Sequence, residues 1–289
     1  MALNDNPVVV ITGASSGIGA ALAVECAAMN ARLAICARRT DDLHDVAAKA
    51  RDAGAEVYAA KVDVTKHDDV EEFIMETLEK YGRIDVLVNN AGRGNYGSVE
   101  DTSQEQLDSM FALNVFSLWY ATGAVLPIMK RQGSGHIMTV ASVAGKLGFP
   151  FNSAYVAAKH AAVGFMASLR AELVDTGIHA TTVCPDGVIT EWGNATEGAP
   201  IGDLFMRGIR HSRTISRERN IPLAPLKKML SAQEVAAQIV GWMKRPPASD
   251  VYTHDGSEAD VLLSARNRAE YEQQMLPLFA GMKKAYYEE

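Results

Sequence analysis

Tyr155 and Lys159 stand four residues apart in SAYVAAKHAAVGFMASLRAEL, and Ser142 precedes Tyr155 by thirteen residues at the end of the strand-like GHIMTVAS. Residues at i and i+4 share one face of a helix, so the phenol and the ammonium can approach the same small volume. A cation there favours phenolate over phenol and moves a group of ordinary pKa about 10 towards neutrality. Such a phenol serves as a proton donor or acceptor. Ser142, delivered from a strand end, adds a hydrogen bond to a reacting oxygen. The constellation suits proton transfer at an alcohol or a carbonyl. Tyrosine–lysine pairs at this spacing also arise by chance, so the rest of the chain decides what this one means.

The elements that must position these side chains alternate regularly. NPVVVITG is a short β-branched run fit for a buried strand, and it leads through TGASSGIG into the helical GAALAVECAAM. ARLAICAR and AEVYAAKVDV repeat the strand. TDDLHDVAAKARDAG, with Thr40 as N-cap and Gly54 as stop, and KHDDVEEFIMETLEKYG repeat the helix. IDVLVNNAG is a fourth strand, GHIMTVAS a fifth, IHATTVCP a sixth and DVYTHDG a short last one. Strand–helix alternation of this kind means right-handed crossovers and an α/β fold: a doubly wound parallel sheet with helices on both faces. The helices at 102–131, which starts like a capped helix, and 153–175 are apolar on nearly every face. A helix apolar all round is buried all round, so their outer faces are expected to meet another copy in a homodimer or homotetramer.

Gly13, Gly17 and Gly19 lie between the first strand and the first helix. There they let backbone N–H groups and a helix N-terminus approach a pyrophosphate. The spacing G-x3-G-x-G is not the commoner dinucleotide fingerprint, but the position after a buried strand favours nucleotide binding. The second strand ends in Ala37, Arg38 and Arg39, with no carboxylate for a free ribose 2′-OH. Arginine offers a forked donor for a 2′-phosphate, so NADP(H) is expected over NAD(H).

Residues 191–230 hold Gly, Pro and many arginines with no clear period, and are read as an irregular lid. Their basic residues form a solvated run by default, or a receptor for an anionic substrate. The segment 258–289 is polar at first but ends in MLPLFAGMKKAYY, too apolar to hang free in water; it could cover a neighbouring subunit's site.

A chain of 289 residues with 48% hydrophobic and 22% charged residues supports one large domain, with a core over 7–255, the lid and this C-terminal extension. A net charge of −7 argues against nucleic-acid binding. Cys26, Cys36 and Cys184 have neither metal-site nor disulfide spacing, which points to a reducing, cytoplasmic setting with no metal. The stretch from Pro7 to Met29 lacks the basic start of a signal peptide, and no run elsewhere reaches the ~18 uninterrupted apolar residues of a spanning helix, so no membrane role is expected. His160 and Cys184 are read as structural.

TGASSGIG (12–19), Asp63–Val64, NNAG (89–92), Asn114 in LNVFSLW, Ser142 in ASVAG, YVAAK (155–159) and Pro185 with Thr190 occur in an order and spacing that resemble the short-chain dehydrogenase/reductase family over about residues 7–255. The resemblance implies a Rossmann-like sheet of seven strands and hydride transfer between a nicotinamide and a small carbonyl or secondary alcohol. It implies Tyr155 as acid/base, Lys159 lowering its pKa and binding the nicotinamide ribose, Ser142 holding the substrate oxygen and Asn114 supporting a water-linked proton path. It places Gly13, Ser15, Ser16, Gly17, Ile18 and Gly19 along the cofactor, with Arg38 and Arg39. Asp63 and Val64 would meet the adenine, Asn90, Ala91 and Gly92 the cleft, and Pro185, Val188 and Thr190 the carboxamide end. One departure stands out: Pro185 is followed by Asp186 where the family has glycine, with Gly187 next. Asp186 is expected to point outward while Gly187 absorbs the turn; the alternative is that Asp186 faces the substrate or weakens cofactor binding. The competing reading is a cofactor-binding regulator or scaffold with little turnover.

Overall fold

The structure, a computed structural model, describes residues 3–198 and 201–288; residues 199 and 200 of the expected lid lie outside them, as do the outermost termini. Seven parallel strands make one sheet: β1 (Val8–Thr12), β2 (Arg32–Ala37), β3 (Glu56–Lys61), β4 (Val86–Asn89), β5 (Gly135–Val140), β6 (Ile178–Cys184) and β7 (Val251–Tyr252). Their order is β7-β6-β5-β4-β1-β2-β3, the doubly wound arrangement expected from the alternation. Alternate side chains of β1 serve opposite faces. Val9 and Ile11 pack with Leu22, Val46 and Ile239 under α1 (Gly17–Ala27), α2 (Thr40–Asp52) and α9 (Ala232–Lys244). Val8 and Val10 pack with Phe73, Val125 and Met166 under α3 (His67–Tyr81), α5 (Ser117–Gln132) and α6 (Ser153–Glu172). The strand order reverses between β1 and β4, and a ligand crevice opens at the carboxyl ends there.

The ends of several helices follow the sequence. Ser103 and Ser231 each close a capping box, with Gln106 and Glu234, and Gly82 ends α3 at φ 73°. Thr40 is not a cap: Arg39 has the extended cap conformation and Thr40 is already the first helical residue. The helix at 104–132 runs as α4 (Gln104–Phe111), a π-helical turn at Ala112–Phe116 and α5. By length and composition it could cross a membrane, yet half of its apolar window is buried in this fold. Its outer side leaves Phe116 and Trp119 about half exposed, with Trp119 against Phe165 of α6 at 4.4 Å between ring centroids.

The lid differs from the irregular segment expected. After the short α7 (Trp192–Ala195), residues 201–219 form one long helix, α8 (Ile201–Arg219). It packs against α11 (Arg268–Tyr287), which follows α10 (Ser257–Arg266). The helices cross at small residues: a Cβ on Gly281 would stand 2.5 Å from the Gly208 carbonyl and 2.6 Å from the Ser212 nitrogen. The segment does carry a helical period, where none was expected: Leu204, Ile209 and Ser212 are buried along one side of the helix, between the arginines of the other. The final segment therefore covers its own chain's lid. Both feet of the lid are tied down, Val188–Ile189 pairing with Leu230–Ser231 and Asn95–Tyr96 with Glu197–Gly198.

Candidate active site

A cavity of about 1030 Å³ runs from the carboxyl end of β1 to α6 and on beneath the lid. At its first end the chain turns tightly at Gly13, with φ +66°. A Cβ there would stand 2.6 Å from the Ala91 Cα, so only glycine lets the loop lie against β4. Asn90 locks this contact by donating its amide to the Thr12 and Gly13 carbonyls at 3.0 and 3.1 Å. Gly19 is packed behind the loop, where a Cβ would meet the Gly13 carbonyl at 2.6 Å. Ser16 caps α1 without a side-chain bond, so the first N–H groups stay open to an anion.

Beside that helix end, Arg39 donates to Ser16 Oγ at 2.6 Å and to Ser15 Oγ at 3.3 Å. It also pairs with Asp42 at 3.2 Å and Glu191 at 3.8 Å. Ser15, Ser16, Gly17, Ile18, Arg38 and Arg39 line this end, and Val64, Asn90, Ala91 and Gly92 line the middle. Asp63 does not: its carboxylate turns back to accept from Thr65 N at 3.1 Å and Thr65 Oγ1 at 2.8 Å. The short Asp-Val-Thr turn claims that carboxylate locally, as aspartates in such turns do. An open helix N-terminus, a glycine floor that a Cβ would fill and a forked cation at the strand end fit a dinucleotide.

Further along, β5 delivers Ser142 and α6 delivers Tyr155 and Lys159 to one wall, as their spacing predicts. Ser142 Oγ accepts from Ala144 N at 3.1 Å, and its hydroxyl lies 3.4 Å from the Pro185 carbonyl. Lys159 is buried, donates to the Val140 carbonyl at 3.2 Å, and holds its ammonium 5.6 Å from the Tyr155 ring centroid. The acidification expected for Tyr155 is not present. Burial pushes its phenol up to about 12, opposed only by a hydrogen bond with Ser142. Burial also lowers Lys159 to about 8. Desolvation dominates at both groups, because each loses the water that would stabilise its charged form.

Asn114 sits on the π-helical turn and behind the cavity wall, not in it. Its amide donates to the Arg93 and Met110 carbonyls at 3.2 and 3.1 Å, while Oδ1 is buried with no partner among the described residues. A Cβ on Gly92 would lie 2.8 Å from that oxygen and 3.3 Å from Lys159 Nζ. The two polar atoms thus flank one spot, and a buried unpaired acceptor calls for an ordered water or a ligand donor.

Pro185, Val188 and Thr190 line the cavity where β6 ends. Asp186 does not point outward: it lines the cavity and is held by partners. Its Oδ2 accepts from Ser257 Oγ at 3.0 Å and pairs with Lys227 at 3.3 Å, which itself pairs with Asp260. Neither Asp186 nor Gly187 has a positive φ. The turn needs no glycine at 186, and Gly187 instead makes room for Met229 of the lid.

Trp192 packs at a tilt against Tyr155 with 5.3 Å between ring centroids, and Tyr96, Phe149, Phe205 and Met229 add apolar surface. Leu278, Phe279 and Met282 of α11 reach the same cavity from far along the chain. The one available signal was the apolar character of MLPLFAGMKKAYY, which says that it packs but not on what.

The family model for short chain dehydrogenase matches residues 7–199. A putative ketoacyl reductase of Streptomyces coelicolor is 36% identical over 253 residues, 87% of this chain and 95% of that protein. A short-chain dehydrogenase/reductase from Burkholderia phymatum, solved in complex with NAD, superposes with a TM-score of 0.79 at 28% identity, covering 93% of this chain and 96% of that one. An actinorhodin polyketide ketoreductase variant with NADPH gives a TM-score of 0.73 at 29% identity, covering 89% and 99%. With a glycine loop opening onto a buried Ser142–Tyr155–Lys159 wall and a family match over most of the sheet, the chain belongs to the short-chain dehydrogenase/reductase family and is an NAD(P)-dependent oxidoreductase.

Proposed function

We propose that the protein reduces the carbonyl of a small molecule to a secondary alcohol, with NADPH preferred over NADH. The observation that carries the cofactor preference is the Arg39 guanidinium. It lies on the Ser15 and Ser16 hydroxyls beyond the end of β2, where the strand ends at Ala37, Arg38 follows, and the two nearby carboxylates, Asp42 and Glu191, are engaged by the guanidinium itself. A 2′-phosphate would meet a forked donor and displace these weaker exposed pairings, whereas a free 2′-OH would have to compete with Arg39 for the carboxylates.

A bound nicotinamide supplies the hydride. Ser142 orients the carbonyl oxygen by a hydrogen bond, and the Tyr155 phenol gives it a proton as negative charge develops there. Lys159 is the adjacent store of that proton, and Asn114 Oδ1 is placed to hold a water that links the store to solvent. Trp192 packs over Tyr155 and keeps bulk water away from the phenol. Two copies are proposed to pair through the outer sides of α5 and α6, and the three free, buried cysteines suit a reducing compartment.

The test replaces Arg39→Ala and measures turnover with each cofactor. NADPH KM is expected to rise about tenfold, with NADH KM changed by less than about twofold. A parent enzyme that uses NADH more efficiently than NADPH would end the NADP(H) assignment.

A further inference from the structure

Phe151 has φ +61°, a left-handed conformation that is strained for an aromatic residue. It lies in the link from β5 to α6, four residues before Tyr155. Strain of this kind persists only where the surroundings impose it. Here the imposing contact comes from the far end of the chain. The Phe151 and Tyr286 rings lie face to face, with 4.0 Å between centroids and 8° between planes, and Tyr287 meets Phe151 edge-on at 5.9 Å.

Tyr286 is itself held. Its hydroxyl donates to Asp101 Oδ2 at 2.7 Å and accepts from Ser98 N at 3.0 Å. The same loop grips the Phe151 backbone, since Gly97 N donates to the Phe151 carbonyl at 2.9 Å and Gly97 bridges to Asn152. Three separate pieces of chain, the loop after β4, the turn before α6 and the last turns of α11, therefore meet at one aromatic stack. The first turn of the helix bearing Tyr155 and Lys159 starts directly from it. Phe149 and Pro150, just before the stack, line the cavity, as do Leu278 and Met282 of α11.

We propose that Tyr286 is a positioning residue for the reaction: by stacking on Phe151 it holds the left-handed turn that aims the start of α6 and sets the width of the substrate end of the cavity. That end is walled by aromatic and aliphatic side chains. Its charged neighbours are already paired, Arg93 with Glu197 at 2.7 Å and Asp186 with Lys227 at 3.3 Å. It suits an uncharged ketone with a bulky apolar body. The proposal rests on the reductase reading for its kinetic consequences but not for its structural one. Tyr286 lies beyond residues 7–199, the part of the chain that the family model matches.

The experiment compares the full chain with Tyr286→Ala, Tyr286→Phe, Phe151→Gly and the Tyr286→Ala/Phe151→Gly pair. The readouts are NADPH binding by fluorescence, reduction of 2-tetralone, and amide hydrogen exchange across residues 147–152. Tyr286→Ala is expected to raise KM for 2-tetralone about tenfold with NADPH affinity unchanged, and to speed exchange in the turn. Tyr286→Phe keeps the ring, so it should stay within about threefold of the parent. Glycine adopts the left-handed turn unaided. In the Phe151→Gly background, then, Tyr286→Ala should change kcat/KM by less than about twofold, whereas a residue needed only to dock α11 would remain costly there. Parent-like kinetics in Tyr286→Ala, damage in Tyr286→Phe equal to that in Tyr286→Ala, or unchanged exchange at 147–152 would each overturn the clamp. If the parent binds NADPH but reduces no ketone, the reductase reading fails, and exchange alone still decides whether Tyr286 holds the turn.

Discussion

At the scale of residues, the chemistry rests on two buried groups whose surroundings move them in opposite directions. Tyr155 is raised to about 12 and Lys159 lowered to about 8, each chiefly by burial. The phenol therefore stays protonated through the physiological range and is ready to donate, while the amine discharges just above it. In the free enzyme, kcat/KM for carbonyl reduction is expected to fall as pH rises through about 8, where the proton store empties. A profile flat from pH 7 to 10 would contradict this. The same depression affects stability. Between about pH 8 and 10.5 the unfolded chain holds a proton on this lysine that the folded chain has lost, so its contribution to stability rises with pH over that window. Tyr155→Phe removes the donor without removing the ring that packs on Trp192. Turnover should fall by about 10²–10⁴-fold while NADPH still quenches tryptophan fluorescence; near-parental turnover would remove Tyr155 from its role.

At the scale of elements, the glycine loop and the start of α1 form the cofactor floor, and backbone geometry decides their tolerance. Gly13→Ala would force a Cβ to 2.6 Å from the Ala91 Cα at a φ of +66°. The strain alone costs about 1–3 kcal/mol, and relieving it pushes β4 and the loop apart. NADPH affinity should drop at least about 100-fold, with a thermal midpoint several degrees lower, by calorimetry and fluorescence titration. An alanine variant with parental affinity would show that the loop can move without loss. The π-helical turn at Ala112–Phe116 is a second case in which an element's shape serves the site. The irregular turn carries Asn114 towards Gly92 and leaves its oxygen unpaired there.

At the scale of the whole molecule, the outer faces of α5 and α6 carry an apolar patch that the monomer leaves in water. Phe116 and Trp119 are 48% and 53% exposed, and Trp119 rests on Phe165. Patches of this kind mark interaction sites. Trp119→Glu is expected to shift the protein to monomers in sedimentation experiments; a parent that is already monomeric, or a variant with unchanged mass, would remove the proposed interface.

The sequence alone determined the strand–helix alternation, the glycine turn, the capped start of the helix at 102–131, and the common wall of Ser142, Tyr155 and Lys159. Each of these follows from local rules: propensity, period, a conformation open only to glycine, or the i, i+4 face of one helix. Tertiary structure alone decided the rest. The lid's helix carries an apolar side in Leu204 and Ile209, but which partner covers it is decided only where Gly281 lies against Gly208 and Ser212. Asp63 was expected at the adenine, yet it is absent from the cavity lining and its Oδ1 accepts from Thr65, two residues away. The pKa shift of Tyr155 reversed because burial is a property of the assembled core, not of the spacing to Lys159. The substrate end adds residues near 280 to the walls near 96, 150 and 192, and no local pattern says that the C-terminal helix will reach them.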